Sequence, residues 1–201
     1  MVVDQIRQSG GDALAVKVDC ANEGEVGLLG IHPWMARKID VLVLNHGAYN
    51  RVAADELTIE TLRETMTVNF EGSVAVWKAI QPHLSEEARM VVVGSQLGTK
   101  GSPHGADYSA SKAALAVWAR SLAQQVGPEG KRVNILAPGY VDTAILAGDS
   151  QSKREQRENE VPLKRVGTPE DMASTIAFLV SEDSAYITGS IIHVNGGLYL
   201  P

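Results

Sequence analysis

Short apolar runs that alternate with helical periods constrain this chain more than any other feature. Val41 to Leu44 and Met90 to Val93 are continuous apolar runs, the pattern of strands buried on both faces. Arg132 to Leu136, Ser190 to Val194 and Ala13 to Val18 read as three more strands. Between the runs lie helical stretches. Thr58 to Leu84 carries Leu62, Met66, Phe70, Val74 and Trp77 at spacings of three or four, large side chains expected in the core. Ala106 to Val126 is a second helix, ended by Gly127-Pro128. Thr168-Pro169-Glu170-Asp171 supplies a cap, a proline at the first position and acids in the first turn of a third, running through Val180. Val2 to Gly10 reads as the end of a helix. Residues 22 to 38 start with an Asn22 cap but are interrupted by glycines and Pro33, which predicts irregular or partly helical structure. Strands alternating with helices imply an α/β fold, a doubly wound and mostly parallel sheet with right-handed crossovers.

Composition bounds what such a fold can do. A chain of 201 residues with 44% hydrophobic content can bury one substantial core, so residues 1–201 are expected to form a single domain. The net charge is −6 and the basic residues are scattered, which argues against nucleic acid as a partner. Cys20 is the only cysteine; no internal disulfide can form, and a reducing cytoplasm is the expected setting. No apolar run approaches the roughly 18 residues of a membrane span, and Asp4 and Arg7 interrupt any N-terminal signal, so no membrane partner is expected. The five histidines lack the paired spacing of helical metal sites, which predicts ordinary roles, with His46 and His104 as candidates to line a cleft.

The chemistry is concentrated in two segments. Thirteen residues after Ser95 in Gly94-Ser95-Gln96-Leu97-Gly98 comes Tyr108-Ser109-Ala110-Ser111-Lys112. Helix positions four apart share a face, which brings the Tyr108 phenol and the Lys112 ammonium together. An unperturbed phenol titrates near roughly 10, and a cation in hydrogen-bonding range is expected to lower that by about 1 to 3 units. Tyr108 would then be a usable proton donor and acceptor. The Ser95 hydroxyl could polarise a substrate oxygen as charge develops on it. Two other serine chemistries fail on their companions: Ser109-x-x-Lys112 lacks the further segments of serine acyl enzymes, and Gly94-Ser95 does not make a nucleophile elbow.

Four more segments fall in register with that trio: Asn45-His46-Gly47-Ala48 after the strand at 41–44, Thr67-Val68-Asn69-Phe70-Glu71-Gly72, Pro138-Gly139-Tyr140-Val141-Asp142-Thr143, and Ile187-Thr188-Gly189 with Val194-Asn195-Gly196-Gly197. Together they resemble the short-chain dehydrogenase/reductase family from about Val2 to the end, with a Rossmann-like fold. The resemblance implies an oxidoreductase that moves hydride between NAD or NADP and a carbonyl or hydroxyl compound, either a small molecule or carrier-linked. It makes Tyr108 the acid/base, Lys112 its electrostatic partner and a ligand of the nicotinamide ribose, Ser95 the carbonyl-orienting hydroxyl and Asn69 part of a proton relay. It places Asp19 at the adenine end, Asn45 at the adenosine ribose and Gly47 among the cofactor-binding residues, while Ala48 puts a methyl where the family has a bare glycine that would allow close cofactor approach. The backbone of Pro138, Gly139, Val141 and Thr143 would hold the carboxamide. A homo-oligomer, dimer or tetramer, is the family-level expectation.

The family's first strand, Gly-rich phosphate loop and second strand have no counterpart, so the expected sheet is N-terminally incomplete, and NAD and NADP are not distinguished. The alternative is a cofactor-deficient relative serving as a binding or assembly module. Without the first two strands, Val41 to Leu44 would present an open edge, which predicts that Ala13 to Val18 slides in beside it or that another chain covers it. The polar segment Gly148 to Glu160 reads either as a lid over the substrate or as a solvated charged stretch.

Overall fold

The computed structural model describes residues 2–201. Four parallel strands form one sheet in the order β1-β2-β3-β4: β1 (Ile39–Leu44), β2 (Leu84–Val93), β3 (Arg132–Pro138) and β4 (Ile191–Val194). Each crossover contains a helix, as parallel pairing requires. The alternation of side chains along the strands then decides which helix covers which face. Met90, Val92, Val133 and Ile135 point to one side and meet Trp77, Leu115, Ala119 and Leu122 of α4 (Gly72–Ile80) and α6 (Ala106–Val126). Val91 and Leu136 point to the other and meet Leu179 of α8 (Pro169–Val180). Helices therefore lie on both faces, and Trp77 is a core residue as its spacing predicted.

Helix boundaries follow local chemistry. Thr168 and Asp171 close a reciprocal capping box at the start of α8, with Pro169 at the first helical position. Asn22 accepts from the Glu25 N–H and starts α2 (Glu23–Gly30), so the 22–38 segment is partly helical, as its cap and glycines predict. One of those glycines serves packing: a Cβ on Gly30 would stand 2.8 Å from the Ala79 carbonyl oxygen of α4. The long helical stretch after Thr58 is three pieces, α3 (Ile59–Met66), a π-turn (Thr67–Glu71) and α4, and it stops at Ile80 because Pro82 follows.

Two expectations fail at the N-terminal side. Ala13 to Val18 forms no strand; Leu14 and Val16 are exposed and the segment is irregular. Beyond its far end Cys20 packs on α4, since a Cβ on Gly72 would stand 2.6 Å from the Cys20 carbonyl oxygen, and the Arg7 guanidinium donates to the Ala13 carbonyl at its near end. Held at both ends, the segment does not reach β1, which is the edge strand of the sheet. Nor is β1 buried on both faces. Leu42 and Leu44 join the core, but Val41 and Val43 are 42% and 37% exposed, because α8 packs on β2, β3 and β4 and not on β1. No helix among the described residues is long and apolar enough to cross a membrane.

Candidate active site

The carboxyl ends of the strands open into a cleft of about 740 Å³, the usual ligand position in an open α/β sheet. β1 delivers Asn45 and Gly47, β2 delivers Ser95, and β3 delivers Pro138, Gly139, Val141 and Thr143, all of which line it with Tyr108 and Lys112. His46 and His104 line it too.

Tyr108 sits in the first turn of α6, where Gly105 is the N-cap. That glycine has φ +154°, and a Cβ on it would stand 2.5 Å from the Tyr49 ring. The bare backbone thus lets Tyr49 lie against Tyr108 at a centroid distance of 4.6 Å, while the Tyr49 hydroxyl donates to the His104 carbonyl. Tyr108 and Ser95 line the cleft together, and the Ser95 side chain acts on the phenol by drawing its pKa down. Ser95 also accepts from the Leu97 N–H at 3.1 Å, which fixes its rotamer.

One turn on, Lys112 is 3% exposed, and its Nζ lies 5.8 Å from the Tyr108 ring centroid and donates to the Val93 carbonyl at 2.9 Å. Burial costs the ammonium hydration, and its pKa falls to about 8. The phenol goes the other way from the expectation: burial pushes Tyr108 up, the Ser95 side chain opposes this, and Tyr49 adds to it. Lys112 does not reverse this: its Nζ donates to the Val93 carbonyl and stands 5.8 Å from the phenol ring centroid. His46, squeezed by burial and by the Lys112 charge, is held below its ordinary value, and its Nε2 lies 3.3 Å from the Ser73 hydroxyl.

Asn69 is fully buried behind the cleft rather than in its wall. The π-turn points its amide at the loop after β1: Oδ1 accepts from the Ala48 N–H at 2.7 Å, and Nδ2 donates to the Ala48 carbonyl and the Ser111 hydroxyl, both at 3.0 Å. Gly47 lies alongside, where a Cβ would stand 3.2 Å from both Asn69 Oδ1 and Lys112 Nζ. One amide therefore clamps the Asn45–Ala48 loop to the helix that carries Tyr108. Asn69→Ala orphans the Ala48 N–H and carbonyl and is expected to cost about 2–4 kcal/mol in chemical denaturation.

Asp19 is not brought to the cleft; its carboxylate accepts from the Ala21 N–H at 2.9 Å. Conversely, several wall residues escaped the motif reading. Tyr49, Arg51 and Gln96 line the cleft, as do Tyr140, Lys153 and Arg157. The polar stretch after Gly148 folds as α7 (Gln151–Glu160), which brings Lys153 and Arg157 to the cleft. A signal was available for it, since Ser150 precedes the helix and caps it by accepting from the Lys153 N–H.

A family model described as enoyl-(acyl carrier protein) reductase matches residues 1–199. An uncharacterised oxidoreductase of Methylorubrum extorquens is 35% identical over 201 residues, covering 98% of this chain and 81% of that protein. The 3-oxoacyl-[acyl-carrier-protein] reductase of Escherichia coli is 33% identical over 165 residues, 81% of this chain and 68% of that one. Among solved structures, a short-chain dehydrogenase/reductase of Brucella melitensis, described as a glucose/ribitol dehydrogenase, superposes with a TM-score of 0.90 at 29% identity, covering 98% of this chain and 82% of that one.

Proposed function

Because the chain belongs to the short-chain dehydrogenase/reductase family of oxidoreductases, we propose that its cleft exchanges hydride between NADH or NADPH and a carbonyl or hydroxyl substrate. The observation that carries this reading is that Ser95, Tyr108 and Lys112 line one cleft, with the buried Lys112 ammonium 5.8 Å from the phenol ring.

The lining suits the nicotinamide half of such a cofactor. Lys112 has three N–H donors and uses one, on Val93, and the missing side chain at Gly47 leaves its ammonium uncovered on that side. Ribose hydroxyls are ligands of the right chemistry for it. Backbone groups of Pro138 to Thr143 border the same space and suit a carboxamide. When bound, the nicotinamide supplies or accepts the hydride.

The protein's part is position and proton. Ser95 donates to the substrate oxygen and holds it beside the phenol. Tyr108 gives its proton to that oxygen as negative charge builds on it in reduction, and takes it back in oxidation. The phenolate left on Tyr108 is stabilised by the Lys112 charge and by the N-terminal end of a 21-residue helix. Asn69 keeps the loop and the helix in register while this happens.

A titration with NADH and NADPH, followed by cofactor oxidation in the presence of a panel of ketones and 3-oxoacyl thioesters, tests the reading. Micromolar binding with turnover is the expected result. Absence of binding at millimolar cofactor would overturn it and favour the binding-module alternative.

A further inference from the structure

We propose that the substrate of this site carries a carboxylate or phosphate a few bonds from its reacting carbonyl, and that Arg51, supported by Lys153, binds that anion; this rests on reading the cleft as a hydride-transfer site. The chain has 24 acidic and 18 basic residues, yet the cleft is lined by Arg51, Lys100, Lys112, Lys153 and Arg157 and by no aspartate or glutamate. An acidic protein has concentrated positive charge where its substrate enters. In a concave, partly desolvated space that field attracts anions more strongly than the same charges on an open surface.

Arg51 is the cation best placed to use it. Its guanidinium carbon lies 6.0 Å from the Tyr49 ring, whose other neighbour, at 4.6 Å, is Tyr108. Arg51 and Tyr108 thus flank one ring on the cleft wall, and a small ligand can reach both. Arg51 donates to the Ile145 carbonyl at 3.1 Å and touches the Asp149 carboxylate only at 3.5 Å, and its side chain is 45% exposed. Most of its five donors stay unused. Asp149 does not neutralise it, because Arg157 takes that carboxylate first, through Nε at 2.5 Å, and holds it below the ordinary carboxylate range. Two guanidiniums share one carboxylate, which leaves a net positive charge. Lys153 adds an ammonium whose hydrogen bond is to Gln156 Oε1.

The same cations could instead serve the phosphates of the cofactor, so the test separates the two sources. Keto acids of increasing length are compared with their methyl esters, and a phosphorylated ketone with its unphosphorylated parent, in wild type, Arg51→Gln, Lys153→Gln and the charge-preserving Arg51→Lys. In wild type the anionic member should lead in kcat/KM by about tenfold or more, and less at high salt. In Arg51→Gln that ratio should fall toward one, chiefly through KM, and Arg51→Lys should restore part of it. Equal or better use of the neutral esters or of a neutral 3-oxoacyl thioester by the wild type overturns the proposal. So does a loss of NAD(P)H affinity in Arg51→Gln with the anion preference intact. If no carbonyl compound is turned over, the hydride-transfer reading has failed, and equilibrium dialysis of the same keto acids decides the anion site: binding lost in Arg51→Gln upholds it, and no binding to wild type refutes it.

Discussion

Tyr108→Phe is expected to lower kcat by about 10²- to 10⁴-fold, the range for removing a positioned general acid, with little change in cofactor affinity. The deletion is clean. The ring is held by Tyr49 at 4.6 Å, a contact that phenylalanine keeps. Circular dichroism and thermal stability should stay near those of the wild type. The direction of the phenol's shift adds a pH signature. Burial raises it above the ordinary phenol value, so at neutral pH Tyr108 holds its proton and is ready to donate it. Carbonyl reduction should therefore be flat across neutral pH, fall first as pH rises through about 8, where Lys112 loses the charge that supports the forming phenolate, and fall further once pH passes the raised phenol value. A reduction rate that falls with a midpoint well below 8 would mean that the proton comes from another group, and His46 would be the one to test.

Much of the sheet and the proton-transfer trio was legible because both are written in local patterns. The strands read at 90–93 and 132–136 sit in β2 and β3 and are largely buried, since each has helices on both sides. Tyr108 and Lys112 share a helix face by geometry alone, and Ser95 follows directly from the end of β2. What failed depended on contacts far apart in sequence. Val41 and Val43 look like their counterparts in β2, and only the reach of α8 decides that one face of β1 stays open. Ala13 to Val18 has strand composition but no neighbour to pair with, because Cys20 is pressed against Gly72. The phenol's shift was misjudged in sign for a similar reason. Spacing brings two side chains together but says nothing of the Val93 carbonyl that occupies Lys112 Nζ, or of the burial that both groups suffer. The cationic wall was invisible for want of topology: Arg51 and Arg157 are about a hundred positions apart, and only the fold brings both to the Asp149 carboxylate at the cleft.

Lys112→Met should abolish most of the activity and yet stabilise the fold at neutral pH, a pairing that separates a catalytic lysine from a structural one. Methionine fills a similar volume without a charge, so no cavity opens. The wild-type ammonium is 3% exposed, and its pKa falls from 10.5 to about 8, which means that the folded state disfavours the charged form. Below about 8 the lysine is charged in both the folded and unfolded chain and the burial cost is fully felt. Between about 8 and 10.5 the unfolded chain holds the proton and the folded one has released it, so wild-type stability rises with pH through that window and then levels off. The span corresponds to about 3 kcal/mol. The Met variant lacks this titration. Its advantage over the wild type should be largest at pH 7, reduced by about 1 kcal/mol for the lost hydrogen bond to Val93, and should shrink by about 3 kcal/mol as pH approaches 10.5. Urea unfolding of both proteins at a series of pH values measures the difference directly, and a constant difference would show that the ammonium is as well solvated in the fold as outside it. The lost activity has the same origin as the gained stability: a cation that the interior tolerates poorly is the one that a phenolate beside it can use.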